Sequence, residues 1–210
     1  MTDLAHTPAV DAPANAAVHD DHTHVTATGI SNEKVAMWAF LGSECLLFGG
    51  LISTFLLYKD RAADGPVPHE LFDLAFTSIS SFVLLMSSLT MVLAVSAISR
   101  GDDRALRAWL LVTALLGSIF ISGQVYEFKE FLNEGLGFTT SPAGSAFFTL
   151  TGFHGVHVTI GIIMLISAAL LSRSGRITQK NAEAVEIVGL YWHFVDVVWI
   201  LIFTVVYLIK

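Results

Sequence analysis

The chain has 210 residues, of which 54% are hydrophobic and 14% charged, with a formal net charge of −7. Soluble domains carry roughly 25% charged residues, so the composition points to a membrane. The negative balance excludes nucleic-acid binding through a basic surface, and a single cysteine, Cys45, excludes an intrachain disulfide.

Residues 1–34 differ from everything that follows. They are rich in Ala, Thr, Asp and His, with prolines at Pro8 and Pro13. Such a segment buries too little apolar surface to offset its ordering, and it reads as a mobile polar tail. It lacks the basic start and apolar centre of a secretory signal peptide. His6, His19, His22 and His24 offer weak metal binding as an alternative, but a solvated tail is the plainer reading.

Five apolar segments follow, over residues 35–58, 74–98, 108–131, 144–172 and 187–209. Each reaches the ~20 residues that cross ~30 Å of hydrocarbon. Backbone groups must be satisfied within such a segment, so an all-α bundle of five transmembrane helices is expected. The links are short. Asp64-Gly65-Pro66 is a turn signal, and Gly135-Leu136-Gly137 with Ser141-Pro142 separates the third helix from the fourth. No internal repeat is visible.

Six cations (Arg100, Arg104, Arg107, Arg173, Arg176 and Lys180) follow the second and fourth helices. Three (Lys59, Arg61 and Lys129) follow the first and third. The bias places the first group in the cytoplasm. The N-terminus is then cytoplasmic and Lys210 outside.

Several ionisable groups lie inside the spans. Glu44 is nine residues into the first, roughly 14 Å deep at 1.5 Å per residue. An intramembrane carboxyl is a functional candidate by default. It reads either as a proton-handling or lipid-headgroup partner, or as a neutral acid hydrogen-bonded within the bundle. His154 and His157 share the middle of the fourth span and read as hydrogen-bonded interior histidines rather than metal ligands. His193 and Asp196 interrupt the fifth and are expected to satisfy each other or neighbouring helices. Gln124, Tyr126 and Glu127 sit near the outer end of the third, where an amphipathic headgroup-level cluster is expected. Trp192 and Trp199, seven apart, share a stripe. The hydroxyls of the second span and Gly42, Gly49, Gly50, Gly117, Gly152, Gly155 and Gly161 suit close helix packing. No phosphate-cradling loop, nucleophile–base arrangement or metal-ligand set appears. On residues alone, this is a polytopic subunit or a small transporter.

Five motifs sharpen that reading. Ser43-Glu44, Gly123-Gln124-Val125-Tyr126-Glu127-Phe128, Gly144-Ser145-Ala146-Phe147-Phe148, Thr151 to Val158 and Tyr191 to Trp199 closely resemble subunit III of the haem–copper respiratory oxidases. The matches fall in order over residues 35–210. The resemblance implies the five-helix bacterial form, in the plasma membrane of a bacterium. It implies no catalytic residue, metal or redox cofactor in this chain, with haem and copper carried by partner subunits I and II. It also implies a supporting role in proton uptake and bound phospholipid, and it is compatible with a larger respiratory supercomplex. Glu44 maps onto the family's buried glutamate, associated with lipid and proton-linked roles. His154, His157 and His193 carry over in position only. The wording of the histidine motifs is closer to cytochrome c oxidases than to quinol oxidases. A haem-b anchor using His157 and His193, or an independent proton transporter using Glu44, are the alternatives from other classes.

Overall fold

The computed structural model describes residues 31–59 and 74–208. The tail histidines and the Asp64-Gly65-Pro66 turn lie outside the described residues. Among the described residues five helices are long and apolar enough to cross a membrane: α1 Asn32–Tyr58, α2 Leu74–Ser99, α3 Asp103–Asn133, α4 Pro142–Arg173 and α5 Ala182–Phe203. A 3-10 turn, Gln179–Asn181, leads into α5, and a π turn, Thr204–Leu208, ends it.

Helices α1, α3 and α4 begin before their apolar runs do, because polar side chains cap them. Asp102 accepts hydrogen bonds from the backbone N–H groups of Arg104 and Ala105. This satisfies two of the donors a helix start leaves open. The first turn of α3, Asp103 to Arg107, is therefore helix rather than link. Ser141 Oγ accepts from Gly144 N at 3.0 Å, with Pro142 in the first turn of α4. Gly101 turns the chain between α2 and α3 at φ +73, a left-handed conformation that favours glycine.

The helices α2, α3, α4 and α5 close into a ring in which each packs on its two neighbours, and α1 lies against α4 and α5. Trp192 of α5 occupies the centre and is fully buried. Its indole N–H donates to Ser87 Oγ on α2 at 2.9 Å. Its ring fits between Gly117 of α3 and Gly161 of α4, where a Cβ would approach it to 2.6 Å and 2.8 Å. One side chain of α5 thus touches the other three helices of the ring. The glycine expectation holds for these two and for Gly155. It fails for Gly42, Gly49, Gly50 and Gly152, whose absent Cβ atoms would meet nothing within 4 Å.

Helix α1 buries only Leu41, Phe48 and Phe55, a single stripe at seven-residue spacing. Its start is tied to the start of α5. Ser31 Oγ donates to Glu183, and Lys34 Nζ meets Glu186 at 2.6 Å. The Lys34 and Glu186 side chains are 31% and 36% exposed, so the pair adds little. Lys34→Met is expected to change stability by less than about 1 kcal/mol, read as the denaturation midpoint of the purified protein.

Gln179 Nε2 donates to Ser99 O at 2.8 Å. That bond joins the α2–α3 link to the α4–α5 link. The six cations counted above therefore gather at one end of the bundle, the end at which α1 begins.

Candidate functional site

Glu44 of α1 and His157 of α4 face each other across the bundle surface. Glu44 Oε2 lies 3.1 Å from His157 Nε2, with the side chains 14% and 12% exposed. The other ring nitrogen, Nδ1, lies 2.8 Å from Phe153 O. A carbonyl only accepts, so Nδ1 carries a hydrogen. Two states then satisfy both ring nitrogens: a neutral imidazole accepting from a protonated Glu44, or an imidazolium donating to a carboxylate. The contact holds one shared proton in either state. Tyr191 OH donates to His157 O at 3.0 Å, and the Phe48 ring centre lies 5.0 Å from that of His157.

His154, one turn away, meets a different environment. It is fully buried among Phe48, Phe120 and Trp199, stacked on Trp199 at 4.9 Å. Neither ring nitrogen has a hydrogen-bond partner among the described residues. The expected hydrogen-bonded histidine is thus found at 157 and not at 154, because 154 turns inward to an aromatic box.

His193 and Asp196 do not satisfy each other. His193 Nδ1 meets Ser88 Oγ of α2 at 2.7 Å. Asp196 is buried, and among the described residues neither carboxyl oxygen meets a partner in hydrogen-bond geometry; the Ser88 hydroxyl, engaged by His193, bears on it. Trp199 donates to Ser81 Oγ at 2.8 Å, and Thr90 meets Thr113 at 2.7 Å. The hydroxyls of α2 are therefore the acceptors and donors that tie it to α3 and α5.

The expected headgroup cluster on α3 divides. Tyr126 is 60% exposed, its ring 5.7 Å from Phe76, and is not a buried polar group. Its neighbours point inward, since residues 124 and 127 lie one turn apart on the core face. Gln124 Nε2 donates to Thr151 O at 2.9 Å. Glu127 accepts from Thr77 Oγ1 at 2.7 Å and from Tyr207 OH at 3.3 Å. Thr77 and Tyr207 escaped the sequence reading, because nothing local signals a partner 50 or 80 residues away. Glu127→Leu is expected to remove the acceptor that both hydroxyls share and cost about 2–4 kcal/mol, read as the temperature at which the chain leaves the purified complex.

Among the described residues no three His, Cys, Asp or Glu side chains converge. Both ring nitrogens of His157 are engaged, as is Nδ1 of His193.

Comparison with known proteins resolves what this bundle is. The family model for cytochrome c oxidase subunit III matches residues 7–210. The chain belongs to the cytochrome c oxidase subunit III family. As a subunit III it is 41% identical over 177 residues to cytochrome c oxidase subunit 3 of Bacillus sp. PS3, covering 84% of this chain and 86% of that one. It is also 41% identical over 174 residues to quinol oxidase subunit 3 of Bacillus subtilis, covering 83% and 85%. Cytochrome bo(3) ubiquinol oxidase subunit 3 of Pseudomonas aeruginosa is 38% identical over 192 residues, 91% of both chains. This subunit III is a multi-pass membrane protein and a component of a terminal oxidase complex. The resemblance drawn from five motifs is thus the family of the chain.

Proposed function

We propose that this subunit III serves a cytochrome c oxidase that reduces O2 and translocates protons in a bacterial plasma membrane, and that it does no bond chemistry itself. In this reading haem and copper sit in subunits I and II. This subunit supports proton uptake, retains phospholipid and stabilises subunit I. Its N-terminus lies in the cytoplasm, which the gathering of six cations at one end of the bundle supports.

The observation that carries the reading is where the polar groups are engaged. Glu44 with His157, His193 with Ser88, Glu127 with Thr77 and Tyr207, and Gln124 with Thr151 each join two or more helices. Their chemistry is directed at holding the bundle together.

The test is the purified complex with and without this chain. Unchanged haem content and initial O2 consumption, with faster loss of activity during turnover, fit a supporting role. Immediate loss of turnover, or equal durability without the chain, contradicts it. The quinol oxidase relatives favour a second reading, in which the donor is a quinol. Oxidation of reduced cytochrome c by the complex, and failure to oxidise a quinol, separates the two. Proton flux in vesicles holding only this chain would reinstate the transporter reading, and a Soret band on the isolated subunit the haem-anchor reading.

A further inference from the structure

A groove of about 300 Å³ runs between α3 and α4 on the outside of the bundle. Val125 and Phe128 form one wall, and Val156 and Ile160 the other. Gly152 and Gly155 form its floor, so the backbone of α4 is open to it. The lining is apolar except for the side-chain amide of Gln124 and the hydroxyl of Thr159, and that hydroxyl donates to Gly155 O at 2.8 Å.

That amide is half used. Gln124 is 7% exposed, and its Nε2 donates to Thr151 O. No described group donates to its Oε1. The oxygen lies against Gly155: a Cβ there would sit 3.0 Å from it. Any other residue at 155 would cover the oxygen, whereas glycine leaves it open to the groove. Gln124 lies near the outer end of α3, with its side chain turned into the bundle. An amide oxygen left there without a donor costs roughly 1–3 kcal/mol.

We infer that this groove is the seat of a tyrosine or tryptophan side chain from a transmembrane helix of another oxidase subunit, whose O–H or N–H donates to Gln124 Oε1. The inference rests on the reading of the chain as an oxidase subunit. A lipid chain would fill the apolar walls but leave the oxygen bare. The volume suits one large side chain rather than the body of a helix. Tyrosine and tryptophan combine an apolar ring with a donor at its edge, and they are the side chains that most often anchor interfaces in pockets. The open glycine floor lets the backbone of α4 approach the partner closely.

The test uses the assembled, purified oxidase. A photo-crosslinking benzoylphenylalanine replaces Val125 in one preparation and Val156 in another; both are exposed on the groove rim. Crosslinked peptides are identified by mass spectrometry. The expected product joins either position to a transmembrane segment of another oxidase subunit that carries a tyrosine or tryptophan. Adding Gly152→Leu should lower its yield about ten-fold, although a Cβ at 152 meets nothing within this chain. Crosslinks only to phospholipid, only to a second copy of this chain, or to nothing overturn the inference while leaving the oxidase reading intact. Undiminished yield with Gly152→Leu overturns it as well. If the unmodified chain is absent from the purified oxidase, the oxidase reading itself fails.

Discussion

Gly161→Ala is expected to loosen the whole helix ring, because the added methyl has no space. It would sit 2.8 Å from two carbons of the Trp192 ring. An indole is a rigid plate, and this one cannot slide away. Gly117 closes the other side, where a Cβ would meet the ring at 2.6 Å. The bond from the indole N–H to Ser87 fixes its edge. Overpacking of this kind costs about 1–3 kcal/mol, and a site closed on both sides belongs at the upper end. Trp192→Ala removes the plate instead and should cost about 3–5 kcal/mol, with a cavity left where four helices meet. The two effects share one side chain, so Gly161→Ala combined with Trp192→Ala should cost less than their sum. Gly42→Ala is the matched control, since its Cβ meets nothing within 4 Å. The measurement is the temperature at which the chain leaves the purified complex. Equal midpoints for Gly161→Ala and Gly42→Ala would remove Trp192 from its central role.

The five spans were legible because uninterrupted apolar runs of this length have one structural outcome in a bilayer. Their starts, α2 apart, were not. The first turn of α3 is polar and charged, and only the cap made by Asp102 identifies it as helix. Nor does hydropathy distinguish the five helices. It treats α1 like the others, yet α1 buries three residues along one stripe and lies outside the ring. The candidate polar residues were legible by depth, since an ionisable group in a span needs a partner. Which partner was not. His154 and His157 are one turn apart, but one enters an aromatic box and the other meets Glu44. Tyr126 and Glu127 are adjacent, and a rotation of about 100° per residue turns one outward and the other into the core. Glycines show the same limit. Gly42 and Gly161 are chemically identical, and only the position of Trp192 makes one of them irreplaceable. Tyr207 reaches Glu127 from a π turn, a feature for which no sequence signal was found.

Glu44→Ala is expected to release α1 from the ring while leaving the rest of the fold in place. The Glu44–His157 contact is the hydrogen bond between side chains deep in the α1–α4 interface. Beyond it α1 has the stripe Leu41, Phe48 and Phe55 and the ties at its start. Removing one member of a buried pair costs about 3–5 kcal/mol when the other is left uncompensated. Here the side chains are 14% and 12% exposed, so the lower end applies. The expected result is faster hydrogen exchange in α1, unchanged haem content and initial turnover, and a shorter active lifetime with less retained phospholipid. Glu44→Gln separates the two protonation states of the contact. A glutamine N–H can donate to a neutral imidazole Nε2 and keep the bond. If the contact is held as acid and neutral imidazole, Glu44→Gln should stay within about 1 kcal/mol of the parent. If it is held as carboxylate and imidazolium, Glu44→Gln should behave like Glu44→Ala, because an amide oxygen is a poor substitute for a charge. Turnover that stops at once in Glu44→Ala would place the carboxyl in the reaction itself. Parental exchange rates in α1 would show that the apolar stripe alone holds the helix.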